Sequence, residues 1–243
     1  MTALLLLACT LSIADPAPWP RPLAEVYPPP TGAQRVETAG FGAWLRDLPL
    51  RDPAEPVRTY QGAVVRGDFH AFDLPLVPGD LQQCADSAIR LRAEWQKAEG
   101  LPISFHSTSG DAMPWARYRA GEKAYVDGRH LAWKQAAPAT WEQYLSAVFN
   151  WAGTRSLSYD TVAATAPEPG ALLVLPGSPG HAMVVLDVAT RGEQTLVLVG
   201  EGFMPAQDFH LIRGPEAGWW PWSLPMQVGY WTFPAEALRV WKD

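Results

Sequence analysis

The sequence predicts a single α+β domain, on three observations. A capped helical stretch with one apolar face runs from Leu81 to Lys97. A second runs from Thr140 to Ala152. After Pro169 the pattern changes to short apolar runs divided by turns. Helices that come early and an antiparallel sheet that comes late make an α+β arrangement rather than a doubly wound one. The 243 residues, 48% of them hydrophobic, are enough to bury a core. Nineteen basic residues against 25 acidic ones, well mixed and with a net charge of -6, leave no concentrated basic surface for nucleic acid.

Residues 1–14 read as an export signal. Residues 3–8 are apolar, too few to span a bilayer, and Leu6-Leu7-Ala8-Cys9 matches a bacterial lipobox. Processing there would leave Cys9 as a lipid anchor on an exported, membrane-attached or periplasmic protein. No Lys or Arg follows Met1, so a cleaved signal and an ordinary N-terminus stay as alternatives. Residues 15–35 carry Pro16, Pro18, Pro20 and Pro28-Pro29-Pro30. Such density excludes helix and central strand and predicts a tether or an arm lying on the domain, with folded structure starting near Val36.

Phe41 to Leu48 has apolar residues at helical spacing and stops at Pro49. Val57–Val65 and Phe69–Leu76 alternate partly and predict two strands with Arg66-Gly67-Asp68 as the turn. Pro78-Gly79 punctuates the next element. Asp80 is placed as its N-cap, with Gln83 as the capping-box partner. Leu81, Cys84, Ala85, Ala88, Leu91 and Trp95 form the apolar face. Ile103–His106 predicts a short strand, and 107–131 an ordered polar excursion. Thr140 and Gln143 box the second helix, whose stripe is Trp141, Tyr144, Leu145, Val148 and Phe149. Ala171–Leu175, His181–Val188 and Thr195–Val199 predict three strands, with Val228–Phe233 as a further edge strand.

Cys84 sits in the first turns of its helix, where unpaired amides and the dipole favour a thiolate. His181 opens a strand directly after Gly180, which leaves one side of the imidazole accessible. Glu201 ends the next strand and is placed to orient that imidazole. Thiol, imidazole and orienting acid are the three parts of covalent acyl transfer. Each has a plainer reading: a packed core cysteine, a surface histidine at a turn, a structural acid. The Cys84 amide is the natural oxyanion donor, with Gln82, Gln83 or Tyr60 as the second. Asp80, Asp86 and Asp111 are candidates for the cleft. His70, His106, His130 and His210 form no close metal motif, so no metal or other cofactor is expected. His210, after Gln207-Asp208, reads as a turn-stabilising residue. Trp219-Trp220-Pro221-Trp222 reads as a loop packed over the sheet or as an aromatic wall for a glycan or peptide.

Several blocks stand in order: Phe41 to Arg46, Asp80 to Asp86, Arg90 to Glu94, Phe105 through Ser109-Gly110-Asp111, Val148-Phe149 with Ala152-Gly153-Thr154, Pro179 to Ala182, and Phe203 to Asp208 with His210. Together they resemble the bacterial domain-of-unknown-function family 4846. More remotely, the order of helix-borne Cys, strand-borne Gly-His and next-strand polar residue resembles the papain-like NlpC-type peptidases and CHAP-type amidases of cell walls. That resemblance implies a papain-like fold over residues 36–243, with Cys84 as nucleophile, His181 as base and Glu201 as orienting acid. The family commonly has Gln then Ser where Glu201-Gly202 stand, and the departure bears on the third role. Gln207 and Asp208 fall in a matching block and are carried as cleft residues. The implied activity is an envelope thiol hydrolase cleaving an amide bond, with a peptide or peptidoglycan-like substrate. The alternatives are a transferase and a non-catalytic envelope binding or scaffold protein.

Overall fold

A computed structural model describes residues 18–242. The expected export signal, with Cys9, therefore lies outside the described residues. The elements that position the site are α1 (Gly40–Arg46), β1 (Phe69–Ala71), α2 (Cys84–Ala98), β2 (Glu122–Asp127), β3 (His130–Gln135), α3 (Trp141–Trp151), β4 (Thr161–Ala163), β5 (Leu172–Leu175), β6 (His181–Arg191), β7 (Gln194–Glu201), β8 (His210–Ile212), β9 (Met226–Val228), β10 (Trp231–Phe233) and β11 (Leu238–Trp241). The large sheet runs β1-β8-β7-β6-β5-β11-β4, antiparallel at every step. This is the expected late antiparallel sheet of a mixed α and β protein.

The two faces of the sheet follow from alternation along each strand. Ala182, Val184, Leu186, Leu196, Leu198 and Leu211 join the core that contains Ile89 and Leu91 of α2. Met183, Val185, Val197, Val199 and Ile212 join a second core with Val228 and Phe233 of the β9–β10 hairpin. α2 is buried continuously from Cys84 to Ala93. It is thus buried around most of its circumference over its first turns rather than along one face. Ile89 and Leu91, both fully buried, contribute about 1.5–3 kcal/mol each.

The amino-terminal segment is an arm lying on the domain, and its folded start differs from the one expected near Val36. Arg21–Pro22 pairs with Pro49–Leu50, Leu23 is fully buried, and Gln34–Arg35 pairs with β6. Arg35 and Arg46 donate to the buried Asp187 carboxylate at 2.6 and 2.8 Å. A buried charge is costly unless paired, so these two arginines fasten the segment and α1 to the sheet. Folded structure therefore begins well before Val36. The prolines removed amide donors, and the segment compensates with short pairings on either side of them.

Two further expectations are corrected. Val57–Val65 and Phe69–Leu76 do not form a hairpin. Residues 57–65 make only isolated bridges, Arg58 with Val64 and Thr59 with Gln207, while β1 pairs with β8. Val228–Phe233 is not an edge of the large sheet but the end of β9, the turn and β10 of a separate hairpin. The excursion at 107–131 contains regular structure, including most of the β2–β3 hairpin. α3 forms as expected, with Gln143 N–H donating to Thr140 Oγ1 at 3.2 Å and Thr140 N–H to Gln143 Oε1 at 2.9 Å. Trp219 is fully buried and donates to the Pro28 carbonyl at 3.0 Å, which is the packed-loop reading of the tryptophan run. Among the described residues no helix is long and apolar enough to cross a membrane.

Candidate active site

α2 starts three residues later than its sequence suggests. Asp80 Oδ1 accepts from the Ala206 amide at 2.6 Å, so it is spent on a tertiary contact instead of capping. Gln83 becomes the N-cap, and its backbone amide donates to Asp86 Oδ2 at 3.1 Å. The consequence is chemical. Cys84 is the first residue of the helix, where the amide has no intrahelical partner.

Cys84 lines a cleft of about 320 Å³ whose wall includes Asp80, Gln83, Asp86, Asn150, Gly180 and Met204. The thiol is 7% exposed and lies near the backbone amides of Ala182 and Ala85, which favour its ionised form. Burial pushes it up to about 11, against the lowering effect of the two amides; Asp86 and Glu201 add to the rise. The helix terminus thus does not produce a resting thiolate. Removal from water outweighs the dipole.

Gly180 lets the chain turn into β6 beside this cleft. A Cβ there would meet Thr154 Oγ1 at 2.4 Å and the Leu175 carbonyl at 2.7 Å. His181 follows, 1% exposed, with Nε2 2.5 Å from Glu201 Oε2. Its ring stacks on Trp231 at 4.6 Å and 8° and meets Phe203 edge-on at 5.4 Å. Nδ1 is the ring nitrogen that Glu201 does not engage. Burial would raise Glu201, but the hydrogen bond from His181 and the nearby His210 ring outweigh it and hold the carboxyl below its ordinary value.

His181, Glu201 and His210 stand on the three adjacent strands β6, β7 and β8. Glu201 and His210 are direct cross-strand partners. His210 was legible as a turn residue through its Nδ1 contact with the Asp208 carbonyl at 2.8 Å. Its approach to Glu201, Nε2 to Oε1 at 3.6 Å, was not. Trp231 was likewise missed, because stacking across 50 residues of chain leaves no local pattern.

Of the residues expected along the cleft, Gln83 lines it, as do Asp80 and Asp86. Four others lie outside its lining. Gln82 is fully buried, its Oε1 accepting from Arg90 Nη1 at 2.6 Å. Tyr60 is on an exposed loop held by its amide to the Ala206 carbonyl. Gln207 bridges to Thr59. Asp208 pairs with Arg51 at 2.7 Å and accepts from the Arg58 amide at 2.8 Å. Each is occupied by the fold. Asp111 belongs to a separate cluster, accepting from Ser109 Oγ at 2.5 Å and from His130 at 3.0 Å. Among the described residues no group of three or more His, Cys, Asp or Glu is arranged to hold a metal ion.

Fold and site together define an α+β protein with a cysteine at a helix terminus beside a buried histidine–glutamate pair. The family model for the domain of unknown function 4846 matches residues 23–240, and the chain belongs to that family. No curated protein and no solved structure matches it.

Proposed function

We propose that the protein is a thiol hydrolase with a papain-like arrangement, acting on an amide bond of an envelope peptide such as a peptidoglycan stem. The observation that carries this reading is the Cys84 thiol against the Ala182 amide, one residue from an imidazole gripped at 2.5 Å by Glu201. Cys84 attacks the carbonyl as His181 Nδ1 takes the thiol proton. The tetrahedral oxyanion is received by the unpaired Cys84 amide. His181 then protonates the leaving amine, and a thioester remains on Cys84. Water attacks the thioester, His181 accepts its proton and returns it to the departing sulfur. Glu201 holds the ring tautomer and offsets the charge of the imidazolium. An exported location, with a lipid anchor through Cys9, fits this substrate class.

A second reading has a specific observation behind it. The thiol is buried and strongly protonated, which suits an envelope binding or scaffold protein that retains the fold. An active ester separates the two without knowledge of the substrate. With p-nitrophenyl acetate, the hydrolase acquires an acetyl group on Cys84 and sheds it with turnover. Cys84→Ala abolishes this, and His181→Ala slows it by about 100-fold or more. A folded protein whose Cys84 stays unacetylated, as read by peptide mass mapping, would leave the scaffold reading standing.

A further inference from the structure

We propose that His210 is the positioning residue of this site: as an imidazolium between the Asp208 carbonyl and the Glu201 carboxylate, it fixes the acid that in turn holds His181. The inference rests on the hydrolase reading for its consequence in rate, but not for its geometry. The His210 ring is fully buried. Nδ1 lies 2.8 Å from the Asp208 carbonyl oxygen, which can only accept, so Nδ1 carries a hydrogen. Nε2 has no hydrogen-bond partner and lies 3.6 Å from Glu201 Oε1. A bare lone pair there would face a carboxylate oxygen. A proton on Nε2 turns that repulsion into an attraction, and a shift of a few tenths of an ångström completes the bond.

The surroundings agree with a cation at this point. From β7 the ring meets Glu201, and through it His181. From β1 it meets the Phe69 ring at 4.4 Å. The nearby Asp208 carboxylate is already taken by Arg51 and the Arg58 amide. The charge that faces Nε2 is therefore that of Glu201. Glu201 is shared: one oxygen serves His181 and the other serves His210. With the Nε2–H bond completed, the carboxylate is held at both oxygens and cannot rotate away from His181.

The test combines nitrogen-15 NMR of the histidine rings in the full-length protein with the pH dependence of Cys84 acetylation by p-nitrophenyl acetate. At neutral pH the His210 ring nitrogens are expected at imidazolium shifts. In His210→Ala the His181 ring signals move, acetylation falls by about tenfold or more, and the acid limb of the profile shifts. His210→Gln, whose amide nitrogen donates to Glu201, restores both the rate and the His181 ring signals. A neutral His210 in the wild type overturns the proposal even if His210→Ala fails to fold. So do His181 signals and a pH profile that His210→Ala leaves unchanged. A wild type that is never acetylated, but whose His210 is an imidazolium coupled to His181, refutes the hydrolase reading and keeps the positioning role.

Discussion

The ring of His181 lies face to face with that of Trp231, their centroids 4.6 Å apart and their planes 8° from parallel. Trp231 belongs to the small β9–β10 hairpin, so a peripheral element sets the orientation of the candidate base. Trp231→Ala is expected to cost about 2 kcal/mol in denaturant unfolding, less than a fully buried tryptophan because the ring is half-buried. It is also expected to open His181 to diethylpyrocarbonate, which Trp231→Phe should largely prevent. Unchanged modification in Trp231→Ala would mean that Phe203 and Glu201 suffice to shield the imidazole.

Asp86 makes stability fall with rising pH. Its carboxyl is pushed up to about 7, mainly by burial, against the lowering effect of the Gln83 amide and its own. Between roughly pH 4 and 7 the folded protein retains a proton that the unfolded chain gives up, so stability is lost as pH rises through that window. Asp86→Asn keeps an oxygen for the Gln83 amide and removes the charge. The variant should match the wild type near pH 4 and exceed it by about 2–4 kcal/mol at pH 8, as read by urea unfolding at both pH values. Equal stability of the two proteins at pH 8 would show that Asp86 ionises freely in the cleft.

The thiol supplies a second pH signature. With Cys84 held at about 11, its alkylation by iodoacetamide should still be climbing beyond pH 9.5. At pH 7.5 it should run at least about 100-fold slower than a free cysteine, since the thiolate is correspondingly scarcer. The site-resolved rate by mass spectrometry distinguishes Cys84 from Cys9. A plateau already reached near pH 7, and lost in His181→Ala, would instead reveal a thiolate–imidazolium pair at rest.

The legible parts of this molecule were those encoded by local chemistry. Thr140 and Gln143 announce α3 because capping is a contact over three residues, and the β6–β7 hairpin is marked by its turn at Gly192-Glu193. Cys84, His181 and Glu201 were legible as types at suggestive positions, and the last two are in contact. What the sequence hid was set by long-range competition. Asp80 is a good N-cap on paper, but the Ala206 amide, 126 residues away, claims its oxygen. Tyr60, Gln82 and Asp208 are polar residues whose partners lie elsewhere in the fold. The proline-rich segment reads as a tether or an arm, and the choice of arm is made by Asp187, buried in mid-strand and paired with Arg35.

Gly202 shows how closely the two halves of the site are pressed together. It follows Glu201 and runs under the start of α2, where a Cβ would come within 2.2 Å of Ser87 Oγ and 2.9 Å of the Gln83 carbonyl oxygen. Ser87 Oγ is buried and unpartnered, so that side can yield, but the Gln83 carbonyl is backbone and cannot. Gly202→Ala should therefore push the helix terminus away from β7, cost about 1–3 kcal/mol, and draw Cys84 off the Ala182 amide. Ser87→Ala alone should be nearly neutral, because it deletes a buried hydroxyl that bonds to nothing. Combined with Gly202→Ala, it should recover only part of the loss. Unfolding midpoints of the two single variants and the double variant decide the matter. Full recovery in the double variant would locate the strain entirely at Ser87 and leave the helix terminus undisturbed, in which case Cys84 acetylation should return as well.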